Sequence, residues 1–266
     1  MSEQSDGTQG QRFSAGTFAP DPRPARPARM LAAQGRLELV LLLRNGEQLL
    51  LTLLIPITLL LGLSLLPIVE LPTPRVNSVV PGVMALAVMS TAFTGQAIAV
   101  GFDRRYGALK RLGATPLPRW GILGGKGAAV LVVVALQAVV LGAVGAGIGW
   151  RPSVLGLLIG VLALAVGTFA FGALGLLLGG WLRAEIVLAL ANIIWFALLG
   201  LGGIVVPLDR LPSGMAAVAR LLPSGALTEA LRAATMHAGV DVGGVLVLLG
   251  WGIVAGIAAT RTFRFT

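Results

Sequence analysis

Long apolar runs separated by short polar segments dominate this chain, and six of the runs approach the length of a membrane crossing. A helix of about 20 apolar residues spans the ~30 Å hydrocarbon core at 1.5 Å rise per residue. A transmembrane barrel strand would instead alternate apolar and polar residues, and these runs do not. The pattern predicts an all-α polytopic membrane protein with six transmembrane helices, at Leu49–Val69, Val79–Phe102, Gly121–Gly149, Val154–Leu182, Ile186–Val206 and Val242–Thr260.

The six predicted spans form one domain, residues 49–260. The segments before and after this domain, and the loops between its spans, are polar or amphipathic. Residues 1–29 are rich in Pro, Ser, Gly and Arg, which predicts a disordered basic tail. Residues 30–48 mix leucines with charged residues, which predicts an amphipathic helix at the membrane interface. A loop at 207–241 precedes the last span, and residues 261–266 form a short tail.

The positions of the basic residues predict the orientation of the chain. If the N-terminus is inside, about three quarters of the 20 Lys and Arg residues lie in cytoplasmic segments, as the positive-inside rule requires. Both termini are therefore predicted to be cytoplasmic, and loop 207–241 extracellular, in a multi-pass protein of the cytoplasmic (plasma) membrane. The same placement accounts for the net charge of +9, so we predict no binding of nucleic acid.

The composition offers little reaction chemistry. Only 12% of the residues are charged, against about 25% in soluble chains. There is no cysteine, His237 is the single histidine, and no two acids pair within a span. The sequence Gly124-Gly125-Lys126-Gly127 lacks the Ser or Thr and the preceding strand of a phosphate loop. We therefore predict no catalytic residue, metal site or cofactor in this chain, and we expect Lys126 to snorkel to the interface.

Three amides and two glycine pairs stand out within the spans. Gln96, Gln137 and Asn192 are either helix–helix hydrogen-bonding groups or ligands of a transported compound, and the sequence leaves both open. The glycine pairs Gly156–Gly160 and Gly175–Gly179 allow helices to approach closely. We interpret them as packing sites within the chain, with dimerisation as the alternative.

A basic segment, Asp103–Pro118, lies between the second and third predicted spans and ends in Thr-Pro-Leu-Pro. This composition predicts a short helix held against the membrane surface. Its cations, Arg104, Arg105, Lys110 and Arg111, give it enough charge to contact something outside the bilayer, and they also suit anchoring at the inner side of the membrane.

The basic segment resembles the cytoplasmic loop of ABC-2 type transporter permeases. The residues in matching places are Asp103, Gly107, Leu109, Leu112, Thr115, Pro116 and Leu117. Two positions depart from the family pattern, because Ala108 replaces the usual Thr or Ser and Arg105 stands where a second acid is common. Two further regions are similar to the family: Arg44–Glu47 with Pro56 before and within the first span, and the loop motifs from Pro207 onward.

The resemblance covers about residues 30–260 and is closest to drug-resistance (daunorubicin-type) exporter permeases, with a type V exporter-like fold. It implies a half-transporter, in which two permeases pair as a homodimer or heterodimer. Each permease would dock one of two copies of an ABC ATPase subunit that binds ATP and Mg²⁺. The implied coupling helix covers 103–118, with docking residues Asp103, Arg104, Arg105, Gly107, Leu109, Lys110, Arg111, Leu112, Thr115 and Pro116. The implied substrate path between spans 2 and 5 includes Gln96 and Asn192.

The implied function is ATP-driven export of an apolar or amphipathic compound, drug-like or lipid-like, as in antibiotic efflux by a bacterium. Export of a lipid-linked glycan is a second transport hypothesis, and a non-transporting membrane scaffold is the alternative from a different class. The family also implies that about Ser213–Ala233 forms short helices that dip back and cover the exit. An ordinary amphipathic surface helix, with Met215, Val218 and Leu221 on one face, is the alternative.

Overall fold

The chain folds into a bundle of α-helices in a computed structural model, which describes residues 26–67, 71–115, 117–204, 208–210 and 212–263. No strand occurs among these residues. The helices are α1 (Pro27–Arg44), α2 (Gly46–Leu65), α3 (Val76–Val88), α4 (Gln96–Arg105), α5 (Ala108–Gly113), α6 (Arg119–Gly147), α7 (Val154–Trp181), α8 (Ala184–Leu201), α9 (Ser213–Leu221), α10 (Pro223–His237) and α11 (Val242–Thr262). A π-helical segment, Met89–Gly95, joins α3 to α4, and a 3-10 turn covers Leu208–Arg210. Residues 1–25 and 264–266, in the two predicted tails, lie outside the described residues.

Five of the six predicted spans are confirmed as helices long and apolar enough to cross a membrane, within the part of the chain that the structure describes. These helices are Val76–Arg105, Trp120–Gly147, Val154–Trp181, Ala184–Leu201 and Val242–Thr262. The first predicted span corresponds to α2, in which the apolar part described is the shorter stretch Thr52–Leu65. Its other predicted end, 68–69, is outside the described residues. The fold class, an all-α polytopic membrane protein, is therefore as predicted, with five described helices of spanning length.

Helix α1 packs with its polar side against α6 and leaves its apolar side exposed. Gln34 and Glu38 are buried, whereas Leu37 and Leu41 are 48% and 58% exposed. The close approach occurs at Gly125, where an added Cβ would meet Gln34. An amphipathic helix was predicted over 30–48, but α1 ends at Arg44 and its polar face contacts protein. A helix so oriented in a membrane protein can present its leucines to lipid.

The second span is continuous but not regular. Helices α3 and α4 are joined by the π-helical segment, in which one extra residue is accommodated per turn. Ser90 of this segment donates to the Leu86 carbonyl at 2.8 Å and accepts from Trp195 Nε1 at 3.0 Å. The span Val76–Arg105 is the most enclosed of the five. It therefore forms the centre of the bundle, with α8 held to it by Trp195.

Helix α7 is the main packing partner in the core, because its glycines let other backbones approach. A Cβ at Gly175 would lie 2.8 Å from the carbonyl oxygens of Ala92 and Phe93. A Cβ at Gly156 would lie 2.5 Å from the Ala234 oxygen of α10. Both glycine pairs therefore take part in packing within the chain, as the sequence predicts.

The predicted loop 207–241 contains two helices with different environments. Helix α9 is exposed at Met215, Val218 and Leu221, the predicted apolar face, and buries Ala219 instead. Helix α10 is buried along most of its length between α3, α7 and α11. A surface helix therefore describes α9 but not α10, which is part of the bundle core.

Candidate functional site

One end of the bundle carries many of the charged residues of the described chain. We call it the basic end: it comprises the end of α4, the whole of α5, the start of α6, the α7–α8 turn and the end of α11. Contacts join these parts, since Arg104 hydrogen-bonds to the end of α7 and Phe263 packs against Gly180. The opposite end carries Trp150, α9, α10 and the start of α11.

The basic segment is a helix end, a sharp turn and a short helix, not one helix. Asp103, Arg104 and Arg105 belong to the last turn of α4, and α5 is a separate six-residue helix. Gly107 separates them with φ 72°, in the left-handed region where a side chain is costly. The predicted coupling helix over 103–118 is therefore broken at Gly107, and Pro116 lies outside the described residues.

Helix α5 is fixed to the bundle by one leucine. Leu109 is fully buried and clusters with Val100 of α4, Ile122 of α6 and Phe263, the residue after α11. Leu112 packs at the edge of the same cluster. Burying a leucine side chain contributes about 1.5–3 kcal/mol. Since a six-residue helix has little stability of its own, Leu109 is the contact that determines where α5 lies.

Arg104 and Arg105 are engaged within the chain. Arg104 Nη1 donates to the carbonyls of Gly179 and Leu182 at 3.2 and 3.0 Å, at the C-terminal end of α7. A cation is favoured there because the last helical carbonyls and the helix dipole are negative. Arg105 pairs with Glu185 in the first turn of α8. These two predicted docking cations therefore hold the α7–α8 turn against α4.

A buried ion cluster joins three elements at the basic end. Lys126 Nζ lies 2.9 Å from Glu38 Oε2 and 2.7 Å from Asp103 Oδ2. The Lys126 side chain is 7% exposed and that of Glu38 is 10% exposed. Gln34 Nε2 also donates to Glu38 Oε1 at 2.8 Å. The expectation that Lys126 snorkels is therefore wrong, because its ammonium group is buried and binds the carboxylates of Glu38 and Asp103.

Lys110 and Arg111 of α5 are exposed. Tyr106, in the turn before α5, is 69% exposed beside them. Thr115 closes the far end of α5, since its hydroxyl donates to the Leu112 carbonyl at 2.6 Å. Buried Leu109 on one side and exposed Lys110 and Arg111 on the other make α5 a fixed helix with a basic outer face.

The two predicted path residues are not brought together. Gln96 is buried against α7, where Nε2 donates to the Gly172 carbonyl at 3.4 Å. Asn192 is exposed on α8 and donates to the Leu188 carbonyl of its own helix at 2.7 Å. The third amide, Gln137, links three segments: it accepts from Thr91 at 3.0 Å and donates to the Thr52 carbonyl at 3.2 Å. Gln137 is therefore a helix–helix hydrogen-bonding group, one of the two roles left open.

The cluster around Lys126 is what sequence reasoning missed. A signal was present, because a lysine seven residues into an apolar helix needs a partner if it is buried. The partner could not be chosen from the sequence, since Glu38 is 88 positions away. Among the described residues, no group of three or more His, Cys, Asp or Glu is placed to hold a metal ion.

The fold is that of a polytopic α-helical membrane protein, and its basic end carries a short basic helix, α5, that is fixed to the bundle. A model of the ABC-2 type transporter family matches residues 33–236, more than half of the chain. The chain therefore belongs to the ABC-2 type transporter family, whose membrane domains are transport permeases that associate with an ABC ATPase. No match was found among curated proteins.

Proposed function

We propose that the chain is the permease subunit of an exporter, and that the exposed face of α5 receives a separate ABC ATPase. The observation that supports this most strongly is the pairing of buried Leu109 with exposed Lys110 and Arg111 on one short helix. A partner that pushes on the basic face acts on a helix whose other face is fixed in the bundle. Asp103, Arg104, Arg105 and Gly107 then serve to hold α5 in place, with Leu112 and Thr115.

The contacts of α5 and its neighbours suggest how a movement of α5 would be transmitted to the other helices. The Leu109 cluster reaches α6 and α11, Arg104 reaches the end of α7, and Lys126 reaches α1. Closure of two ATPase subunits on ATP would therefore move several helix ends together. Because packed helices shift as rigid bodies and do not deform continuously, the bundle would rock between two access states.

We place the cargo path along the exposed face of α8, between this permease and a second copy or a related one. Ile193 and Phe196 are 65% and 66% exposed, and Asn192 is the amide beside them. Helix α8 is the least enclosed of the five spanning helices. Such a surface suits an apolar or amphipathic cargo that needs one polar contact.

The docking proposal is tested with the tagged chain purified from membranes of its own host. The wild-type preparation should contain an ABC ATPase and hydrolyse ATP, and the chain stripped of partners should not. Reversal of Lys110 and Arg111 to Glu should lower ATPase recovery at least ten-fold, while the monodisperse gel-filtration peak is kept. Arg220→Glu, an exposed reversal at the opposite end, is the matched control and should leave recovery unchanged. Equal recovery in both variants would remove α5 from the docking role.

The cargo proposal is tested with inside-out vesicles that contain the assembled transporter. ATP should drive daunorubicin into the vesicles, which is the direction of export, and Asn192→Leu should change the uptake more than Asn192→Gln. ATP-driven loss of preloaded daunorubicin would reverse the direction. If a lipid-linked glycan stimulates ATP hydrolysis and daunorubicin is not taken up, the cargo is a lipid-linked glycan and not a drug-like compound.

A further inference from the structure

A cavity of about 380 Å³ lies on the side of the bundle formed by α6, α7 and α11, within the half that carries the basic end. Four elements line it: α4 with Gln96, α6 with Leu123, Gly124, Gly127, Ala128, Val130 and Leu131, α7 with Ala165, Thr168, Phe169, Gly172, Ala173 and Leu176, and α11 with Gly256, Ala259 and Thr260. Its volume falls in the range of small-molecule sites. It is distinct from the proposed path, because none of its lining residues belongs to α8.

The lining is apolar except for a few groups that favour a hydrogen-bond donor. The hydroxyl of Thr168 donates to the Leu164 carbonyl at 2.7 Å, and that of Thr260 donates to the Ile257 carbonyl at 2.9 Å. Each hydroxyl has therefore used its single proton and retains acceptor capacity. Gln96 Nε2 donates to the Gly172 carbonyl, whereas Gln96 Oε1 is buried without a hydrogen-bond partner among the described residues.

An unpartnered buried amide oxygen is unfavourable, and a ligand that supplies an O–H or N–H group removes that penalty. No charged residue lines the cavity in the described chain. A cationic or anionic ligand would therefore lose its hydration without gaining a counter-ion. The matching chemistry is a neutral, apolar molecule that carries one hydrogen-bond donor.

Glycines create the room for such a molecule. A Cβ at Gly127 or at Gly256 would meet no atom within 4 Å. Leu123 and Leu176 line the cavity and also pack against the cluster around Leu109. The cavity therefore adjoins the contact that fixes α5.

We propose that this cavity is a binding site for a neutral apolar alcohol or N–H compound, with Gln96 Oε1 accepting the donor. The site goes beyond the proposed transport function and does not rest on it, because it lies within one permease chain. The ligand is either a membrane lipid with a free hydroxyl or a compound that arrives from water.

The test uses the full chain alone in lipid nanodiscs, with a diazirine derivative of 1-dodecanol as photolabel. Labelled peptides should come from Leu123–Leu131 and Gly256–Thr260, and Gly127→Leu should reduce this labelling at least five-fold by filling the cavity. Gly147→Leu is the matched control on the same helix, since a Cβ there also meets nothing within 4 Å, and it should label like the wild type. Equal labelling of Gly127→Leu and wild type, or labelling spread over all exposed helices, would overturn the site.

The donor requirement is tested by competition. Unlabelled 1-dodecanol should compete about five-fold better than its methyl ether, as one net hydrogen bond typically provides, and Gln96→Leu should abolish the difference. Equal competition by the alcohol and the ether in the wild type would overturn the role of Gln96. Competition by dioleoylglycerol in the nanodisc would assign the site to a membrane lipid. Its failure, with 1-dodecanol still competing, would assign the site to a compound from water.

Discussion

Replacement of Lys126 by Met tests whether the buried ion cluster holds the basic end together. Lys126 binds Glu38 of α1 and Asp103 of α4 from its position on α6. Met keeps an unbranched apolar side chain that can fill the same space. The substitution therefore removes the charge with little change in packing.

The expected magnitude follows from the exposure of the two carboxylates that lose their partner. Glu38 is 10% exposed and keeps only the hydrogen bond from Gln34 among its described contacts. Breaking a buried pair by removing one partner costs about 3–5 kcal/mol. The Asp103 side chain is 37% exposed, so water can solvate this carboxylate. Losing Lys126 as its partner therefore adds little to the free-energy cost. We expect Lys126→Met to lower the free energy of unfolding by about 3 kcal/mol.

A second substitution separates charge from packing. Lys126→Met combined with Glu38→Gln removes the orphaned carboxylate, so most of the lost stability should return. The two effects should then be strongly non-additive, as expected for residues in contact. Glu38→Gln alone should cost less than Lys126→Met, because Lys126 keeps Asp103.

The assay is reversible unfolding of the purified chain in mixed micelles with increasing SDS, followed by helicity. Wild type, both single variants and the double variant are compared under the same conditions. A Lys126→Met variant within 1 kcal/mol of wild type would refute the reasoning. So would a double variant equal to the sum of the single ones, because the lysine would then be solvated.

Three further predictions concern packing, the interior hydrogen bonds and the arginines. Gly175→Ala places a Cβ 2.8 Å from two carbonyl oxygens and should cost about 1–3 kcal/mol in the same unfolding assay. Gly200→Ala is the control, because a Cβ there meets nothing within 4 Å. Equal effects of the two substitutions would contradict the close packing at Gly175. Gln137→Leu removes the hydrogen bonds to Thr91 and Thr52 and should cost about 1 kcal/mol. Adding Thr91→Val should then cost little more, and full additivity would argue against that pair. Arg105→Ala should change stability by less than about 1 kcal/mol because its ion pair with Glu185 is exposed. Arg104→Ala should lower the unfolding midpoint measurably. A larger effect of Arg105→Ala than of Arg104→Ala would show that the α7–α8 turn is held differently.

The attachments of α5 give the family match a physical meaning in this chain. Of the residues that match the family pattern, Gly107 makes the turn, Leu109 fixes the helix, and Thr115 closes it. Each of these roles is structural, which leaves Lys110 and Arg111 as the exposed face. In this chain the residues of the family motif position α5 on the bundle, and the neighbouring Lys110 and Arg111 give its exposed face a positive charge.

The fold class, the approximate limits of the spans and the position of the basic segment were determined by the sequence alone. Spanning helices must satisfy their backbone hydrogen bonds internally, so long apolar runs identify them, as at Val154–Trp181. The family resemblance also follows from local motifs. The weakest limits were those at α2, whose described apolar part is only Thr52–Leu65, and at Gly107, whose left-handed backbone separates α4 from α5.

Only the tertiary structure decided which polar groups meet. Glu38, Asp103 and Lys126 come from three separate segments, and periodicity carries no information about which faces of different helices touch. The same holds for Gln96, which lines a cavity, and Asn192, which is exposed on α8. Local sequence sets helix formation through hydropathy and backbone hydrogen bonding, whereas partners across helices depend on the relative rotation and depth of helices that pack only once the bundle has formed.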